Sequence, residues 1–352
     1  MKATLLRLTA VAMLGPATAL IQPQVIHEFP LGTWLENLAP RTSYPSGVLV
    51  NMLSSPDMYL VPTNPPASPI HIAHIPNHLG LMGITEMGHD VFYAVAGNFS
   101  VDTFDVELGS FSIWEIDLRG LPGLPSNLTA KTTKIADVPT GLLNGLTVLN
   151  PVEGILLAAD SEHGVVWSIN VRTGQTAIAV NDTSMAPVQS STVPLGVNGL
   201  HVVNQNLYYT NTNKASLCRV PLNMTTGEAT GPAETLVQSP EIYPDDFTVD
   251  FCGNVWLASD AYNQLVLLQN TTATSVSGSS NIGVVSGSPQ ERKFMGLSAT
   301  AFGTGALDLQ RGSLYVTING GMGQYKYKNW TMGGTANARL GEGRGPARHL
   351  RG

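Results

Sequence analysis

Six hexapeptides align along the chain without gaps: Met58–Thr63, Phe92–Gly97, Leu156–Ser161, Leu207–Thr212, Val255–Asp260 and Leu314–Asn319. Each is a mainly apolar run with strand-forming character, and most follow a Gly, Asn or Asp turn, which is the pattern of a short buried strand. A second strand-like stretch precedes each hexapeptide. A third follows, as at Ile70–Ile75, Phe111–Leu118, Val165–Val171, Leu217–Leu222, Leu265–Gln269 and Gln324–Lys328. No window carries a sustained apolar period of 3.6 residues bounded by caps, so helices are not expected to build the fold. The repeating unit is a small antiparallel sheet of about fifty residues, the size of one propeller blade. Six units predict an all-β, six-bladed β-propeller over residues 20–330. A propeller whose first and last blades did not meet would expose sheet edges. Val25–Phe29 is therefore expected to close the ring as an N-terminal strand of the last blade, beside Gln324–Lys328.

The chain ends carry other signals. Lys2 and Arg7 precede the apolar run Leu8–Leu20, which ends in Ala17-Thr18-Ala19; this is the pattern of an export signal over residues 1–19, cleaved near Ala19. Asn-x-Ser/Thr triplets at Asn98, Asn127, Asn181, Asn223, Asn270 and Asn329 exceed what chance supplies and fit the secretory pathway or an extracellular location. Residues 331–352 are rich in Gly and Arg without apolar periodicity and read as a flexible tail. Cys218 and Cys252 are the only cysteines. They can bridge in an oxidising compartment, but a chain of this size buries enough core to do without a bridge, and both alternatives stand. Charged residues are only 12% of the chain, the net charge is -7 and no basic stripe occurs, which disfavours nucleic acid as a partner. No segment after the signal is long and apolar enough for a membrane span.

In a propeller the segments leading into the innermost strands converge on one face, so residues about fifty apart in sequence meet there. Those segments are Trp34–Leu38, Gly80–Ile84, Leu143–Leu146, Val197–Leu200, Pro244–Phe247 and Met295–Ser298. Asn144, Asn198 and Asn211 are the candidate catalytic amides, each able to donate a hydrogen bond. Glu36, Asp160, Asp245 and Asp246 are the candidate substrate-binding carboxylates. His71, His74 and His78 are close in sequence, but strand alternation places His71 and His74 on opposite faces, against a metal cluster. No Gly-x-Ser-x-Gly elbow occurs, and the glycine-rich turn at Asn319–Gly323 precedes a strand pattern rather than a phosphate-binding helix.

Pro244-Asp245-Asp246-Phe247-Thr248-Val249-Asp250, followed by Gly253-Asn254-Val255-Trp256, resembles a signature of the senescence-marker-protein and gluconolactonase propellers. Asn198-Gly199-Leu200 with Leu207-Tyr208 is similar to the preceding blade of that family, and Ala301-Phe302-Gly303 with Leu314–Thr317 to its last. The resemblance implies an axial divalent cation, commonly calcium, held by Glu36, Asn198 and Asp245; oxygen ligands of these types suit a hard cation. The family's substrate-binding arginine falls on Leu142, and glycines fall on Asn37 and Asp246, so this pocket is less cationic and more apolar than a sugar-lactone pocket. Leu35-Glu36-Asn37-Leu38-Ala39, Arg41 and Val48-Leu49-Val50 further resemble a fungal secreted branch that includes hetero-Diels-Alderases of tropolone sesquiterpenoid biosynthesis. That resemblance implies a cyclase joining a tropolone-derived ortho-quinone methide to a humulene-type olefin, with small apolar substrates as partners and no cofactor required. A calcium-dependent lactonase or esterase and a non-catalytic small-ligand-binding propeller are the alternatives.

Overall fold

The chain opens with two strands that belong to its last blade, β1 (Lys2–Thr9) and β2 (Gln24–Leu31). Blade one follows as β3 (Leu35–Arg41), β4 (Gly47–Met52), β5 (Asp57–Pro62) and β6 (Ile70–His74), and blade two as β7 (Gly80–Glu86), β8 (Val91–Gly97), β9 (Ser112–Asp117) and β10 (Lys131–Asp137). Blade three is β11 (Leu143–Asn150), β12 (Ile155–Asp160), β13 (Val165–Asn170) and β14 (Thr176–Asn181); blade four is β15 (Val197–Val203), β16 (Asn206–Asn211), β17 (Ser216–Pro221) and β18 (Glu234–Gln238). Blade five is β19 (Pro244–Val249), β20 (Val255–Ser259), β21 (Gln264–Leu268) and β22 (Ile282–Gly287). Blade six begins with β23 (Leu297–Phe302) and β24 (Ser313–Ile318) and is completed by β1 and then β2. The structure is a computed structural model that describes residues 2–9, 22–43, 46–63, 68–121, 129–191, 193–269 and 282–323. It is a six-bladed β-propeller, and its innermost strands β3, β7, β11, β15, β19 and β23 touch in that order around a ring that closes on β3.

Alternation along each strand explains how the ring holds together. Leu207 and Tyr209 of β16 pack toward Leu157 and Val166 of blade three, whereas Tyr208 between them packs toward Phe247 and Leu257 of blade five. The same division in β24 sends Leu314 and Val316 toward blade five and Tyr315 toward blade one. Each seam between neighbouring blades thus has its own apolar cluster, and the seam between blades one and two is further tied by the buried ion pair Arg41–Asp90 at 2.8 Å. An apolar face on both sides of every strand is what period-2 alternation supplies when both faces are covered.

The N-terminus adds a strand to the sequence reading. Residues 2–9, assigned there to an export signal, form the strand β1 between β24 and β2, with Thr4 opposite Ile318 and Thr9 opposite Ser313. Ala3, Leu5, Leu6 and Leu8 are at most 1% exposed. Val25–Phe29 does join the last blade, within β2, but its partner is β1, because β1 fills the place expected of 324–328. The latter segment, the small-residue triplet at 17–19 and the tail at 331–352 lie outside the described residues. The first hexapeptide also shifts: Met58–Thr63 overlaps β5, the third strand of its blade, since the apolar run at Val48–Val50 forms the second strand.

Cys218 is buried in β17, its Sγ near Ser216 Oγ and Thr235 Oγ1, while Cys252 is exposed in the turn after β19, so the two are unbridged. Asn181 and Asn223 are exposed; Asn98 is half-buried and donates to Glu107 Oε2 at 2.7 Å; Asn127, Asn270 and Asn329 lie outside the described residues. Among the described residues no helix is long and apolar enough to cross a membrane.

Burying one leucine stabilises a fold by about 1.5–3 kcal/mol, and β1 buries three of them in a domain whose whole stability is on the order of 5–15 kcal/mol. A chain beginning at residue 20 is therefore expected to melt at least ~10 °C below the full chain. Calorimetry of the two forms checks this; equal melting temperatures would show β1 to be dispensable and residues 1–19 to be removable as a signal.

Candidate functional site

The innermost strands share one irregularity. Their ladders to the second strands slip at the same height in all six blades: between Leu35 and Asn37, Leu81 and Ile84, Leu143 and Leu146, Val197 and Leu200, Pro244 and Phe247, and Leu297 and Ala299. Such bulges re-aim side chains and recur beside functional sites. Here they carry Glu36, Met82, Asn144, Asn198 and Asp245, and all five line one cavity at the centre of the ring, which opens to solvent. Asp260 joins the polar lining, and Trp34, Leu53, Phe99, Phe104, Leu142 and Leu195 make the rest largely apolar.

The residue after each bulged position explains the local sequence. A Cβ on Gly83 would lie 2.5 Å from Asn144 O, one on Gly145 would lie 2.5 Å from Asn198 O, and one on Gly199 would lie 2.3 Å from Asp246 Oδ1. Only glycine lets consecutive inner strands approach this closely. At the same position blades one and five carry Asn37 and Asp246, and Asn37 Nδ2 donates to Asp246 Oδ2 at 2.7 Å, a bond that passes blade six to tie β3 to β19 across the axis. Asp246 also accepts from Phe247 N at 2.7 Å. It does not line the cavity, which moves it from substrate binding to holding the ring.

Two further sequence candidates are displaced. Asn211 is fully buried, donates to Ser184 O at 2.8 Å and Ala186 O at 3.0 Å, and accepts from Lys214 N at 3.0 Å; it anchors the turn at Thr183–Met185 rather than reaching the cavity. Asp160, also fully buried, accepts from Thr140 Oγ1, from His163 N at 3.0 Å and, through Oδ2, bonds His163 Nδ1 at 2.8 Å. Both residues end second strands, where a polar side chain is claimed by its own turn.

Within the cavity the amides differ. Asn198 commits both Nδ2 protons, to Thr212 Oγ1 at 2.9 Å and Asp245 Oδ1 at 2.8 Å, and so positions Asp245. Asn144 is nearly buried, and its side chain has no hydrogen-bond partner among the described residues, so its amide faces the cavity uncommitted. Glu36 Oε2 accepts from Trp34 Nε1 at 2.6 Å. Burial, then the charges of Asp260 and Asp246, push the Glu36 carboxyl up to about 8 against the opposing pull of the Trp34 bond. Burial and the charge of Glu36 likewise hold Asp245 well above the usual carboxylate range, with Asp260 and Asp246 adding to the shift. At neutral pH the cavity therefore keeps the Glu36 carboxyl largely protonated and able to donate a hydrogen bond.

Glu36, Asn198 and Asp245, the residues implied for calcium, share the cavity, but as arranged they are not a ready cation shell: Asn198 turns its amide protons, not its oxygen, toward Asp245. Among the described residues no three His, Cys, Asp or Glu side chains are grouped to hold a metal. His71 Nε2 and His74 Nδ1 both reach Asp57 Oδ1, at 2.8 and 2.9 Å, because a slip in the β5–β6 ladder brings together side chains that simple alternation would separate. Sequence reasoning missed Asp260 and Phe104 as lining residues. Asp260 ends the fifth hexapeptide and was detectable from that position; Phe104 belongs to no motif.

Comparison with known proteins bears on this cavity. No family model matches the chain. A curated protein of Phoma sp, named "Putative hetero-Diels-Alderase", is 25% identical over 257 residues, covering 67% of this chain and 71% of the relative. The resemblance to hetero-Diels-Alderases is thus met along most of both chains. Among solved structures, a chain of a nidogen/laminin complex superposes with a TM-score of 0.55 at 14% identity over 84% of this chain and 97% of its own. A luciferin-regenerating enzyme does so at 0.52 and 13%, over 82% and 92%, and an auxiliary nutrient binding protein from Bacteroides thetaiotaomicron at 0.55 and 10%, over 91% and 75%. These three share the fold.

The raised carboxyl gives a pH signature. An unfolded glutamate releases its proton near 4.5 and folded Glu36 near 8, so between these values the folded state holds a proton that the unfolded state has lost. The stability owed to neutral Glu36 is complete below about pH 4.5 and declines as pH rises to about 8. Glu36→Gln should therefore gain in melting temperature relative to the parent protein, by several degrees, between pH 5 and pH 8. A difference that does not change with pH would mean that Glu36 is ionised throughout.

Proposed function

We propose that the chain is a hetero-Diels-Alderase that joins a tropolone-derived ortho-quinone methide to a humulene-type olefin in the central cavity. The observation that carries this reading is the curated relative of that name, extending over most of both chains. The character of the cavity supports it. In the cycloaddition the O=C–C=C unit of the quinone methide contributes four π electrons and the olefin two; one C–C and one C–O bond form, and no proton or leaving group departs. Such a reaction requires two partners held at reacting distance, worth up to about 7–11 kcal/mol in favourable cases. It also gains from a donor on the heterodiene oxygen, where charge increases in the transition state. Asn144 has the uncommitted amide for that bond, and protonated Glu36 is a second donor. Export, with residues 2–9 kept in the folded chain as β1, and glycosylation at the exposed sites Asn181 and Asn223 belong to the same proposal.

The second reading, a calcium-dependent lactonase, rests on Glu36, Asn198 and Asp245, the residues that the resemblance implies for calcium, lining one cavity, although as arranged they form no cation shell. The experiment is to assay the protein with a quinone-methide precursor and a humulene-type olefin, and separately with lactones, each with and without a chelator. Cycloadduct should form with or without the chelator, and Asn144→Ala should slow its formation by about tenfold to a thousandfold, as for the loss of one preorganised donor. Turnover of lactones alone, erased by chelation and by Asp245→Ala, would overturn the cycloaddition reading. Tight binding of the olefin without turnover of either class would leave a binding propeller.

A further inference from the structure

A second hollow, open to solvent, lies immediately outside the central cavity. The two share three walls, Phe104, Leu142 and Val193. Phe104 is held in a way that bulky residues rarely accept. Its φ is 63°, the left-handed region, a conformation that costs about 1–3 kcal/mol and persists where the surroundings over-determine it. Those surroundings are a small hairpin closed by the Phe99–Val106 bridge, with Phe104 N donating to Ser100 O at 2.7 Å and Ser100 N to Asp105 O at 2.9 Å. The Phe104 ring stands edge-on to Trp34 at 6.0 Å and to Phe99 at 5.6 Å. It is thereby fixed as a partition between the two spaces.

The two spaces differ in chemistry. The inner one carries Glu36, Asn144, Asn198, Asp245 and Asp260. The outer one is walled by Val106, Leu108, Leu142, Val193 and Pro194, with acidic groups in its lining at Asp105 and Glu162, and Leu108 is 65% exposed within it. A neutral hydrocarbon matches the outer walls, whereas an anionic ligand would be repelled by the two carboxylates. An oxygen-bearing heterodiene matches the donors of the inner space.

We propose that the groove outside Phe104 is a second subsite, which captures the neutral cyclic olefin before it joins the heterodiene in the central cavity, with Phe104, Leu142 and Val193 as the wall that the two spaces share. This rests on the cycloaddition reading for the identity of the inner ligand only; occupancy of the groove by a hydrocarbon does not depend on turnover.

The test uses the full chain and the uncharged fluorescent probe N-phenyl-1-naphthylamine, displaced by α-humulene. Leu108→Glu and, separately, Pro194→Glu should each weaken binding of both at least tenfold with no change in melting temperature, and Asn144→Ala should leave it unaltered. In the two-substrate assay, Leu108→Glu should raise KM for the olefin and leave KM for the heterodiene unchanged. Loss of binding in the groove variants without any turnover by the parent protein would uphold the subsite and defeat the cycloaddition reading. Turnover by the parent, with probe affinity and olefin KM indifferent to both groove variants, would uphold that reading and overturn the subsite.

Discussion

A four-stranded blade has two apolar faces and no interior of its own, so no blade of this protein can be stable until it is covered on both sides. Everything else in the structure depends on meeting that requirement six times around a circle. The clusters built on Leu157 and Tyr209, on Tyr208 and Leu257, and on Leu5 and Val50 are equivalent solutions at different seams. The last of them needs the two ends of the chain to meet in one sheet, which is why β1 and β2 are part of the core rather than appendages. Because stability is spent at the seams, the centre of the ring and the turns at its rims are the places left for polar chemistry.

The bulges convert that architecture into a site. A regular inner strand would alternate its side chains between the two neighbouring seams; the slip in the ladders of blades one to five frees one residue in each to point at the axis instead. The sequence places Glu36, Asn144, Asn198 and Asp245 at those freed positions and glycine after two of them. Crowding carboxyl groups into a space walled by Trp34, Leu53 and Leu195 raises their affinity for protons, so that Glu36 comes to serve as a hydrogen-bond donor.

Much of this was legible in the amino-acid sequence because a repeat imposes its geometry wherever it recurs. The hexapeptides located strands in every blade, and the lead-in rule found four of the cavity's polar residues. It failed where a residue's fate is decided by neighbours rather than by position. Asn211 and Asp160 have the right chemistry, but local carbonyls, amides and hydroxyls claim them. Asp246, one residue along from a cavity residue, faces Asn37 instead. In blade one, two apolar runs in tandem allowed either to be the second strand, and only pairing with β3 decides between them. The apolar N-terminus has the composition of an export signal and of a buried strand alike, and hydropathy does not distinguish them; that it pairs with β24 is decided by the rest of the sheet. Phe104 acts through a strained backbone and its contacts with Trp34 and Phe99, none of which leaves a pattern in one dimension.

The bond between Asn37 and Asp246 has a mechanical consequence. Wedges arranged in a circle and touching only their neighbours can change the radius of the circle with little cost at any one contact, since the change is divided among all of them. A tie-rod across the bore removes that freedom. Here a single amide–carboxylate bond at 2.7 Å joins two inner strands that are not neighbours, and the glycine at 199 leaves the room it needs. The bore of the propeller, and with it the spacing between the Glu36 and Asp245 walls, is thereby set by two side chains that touch nothing the cavity would hold.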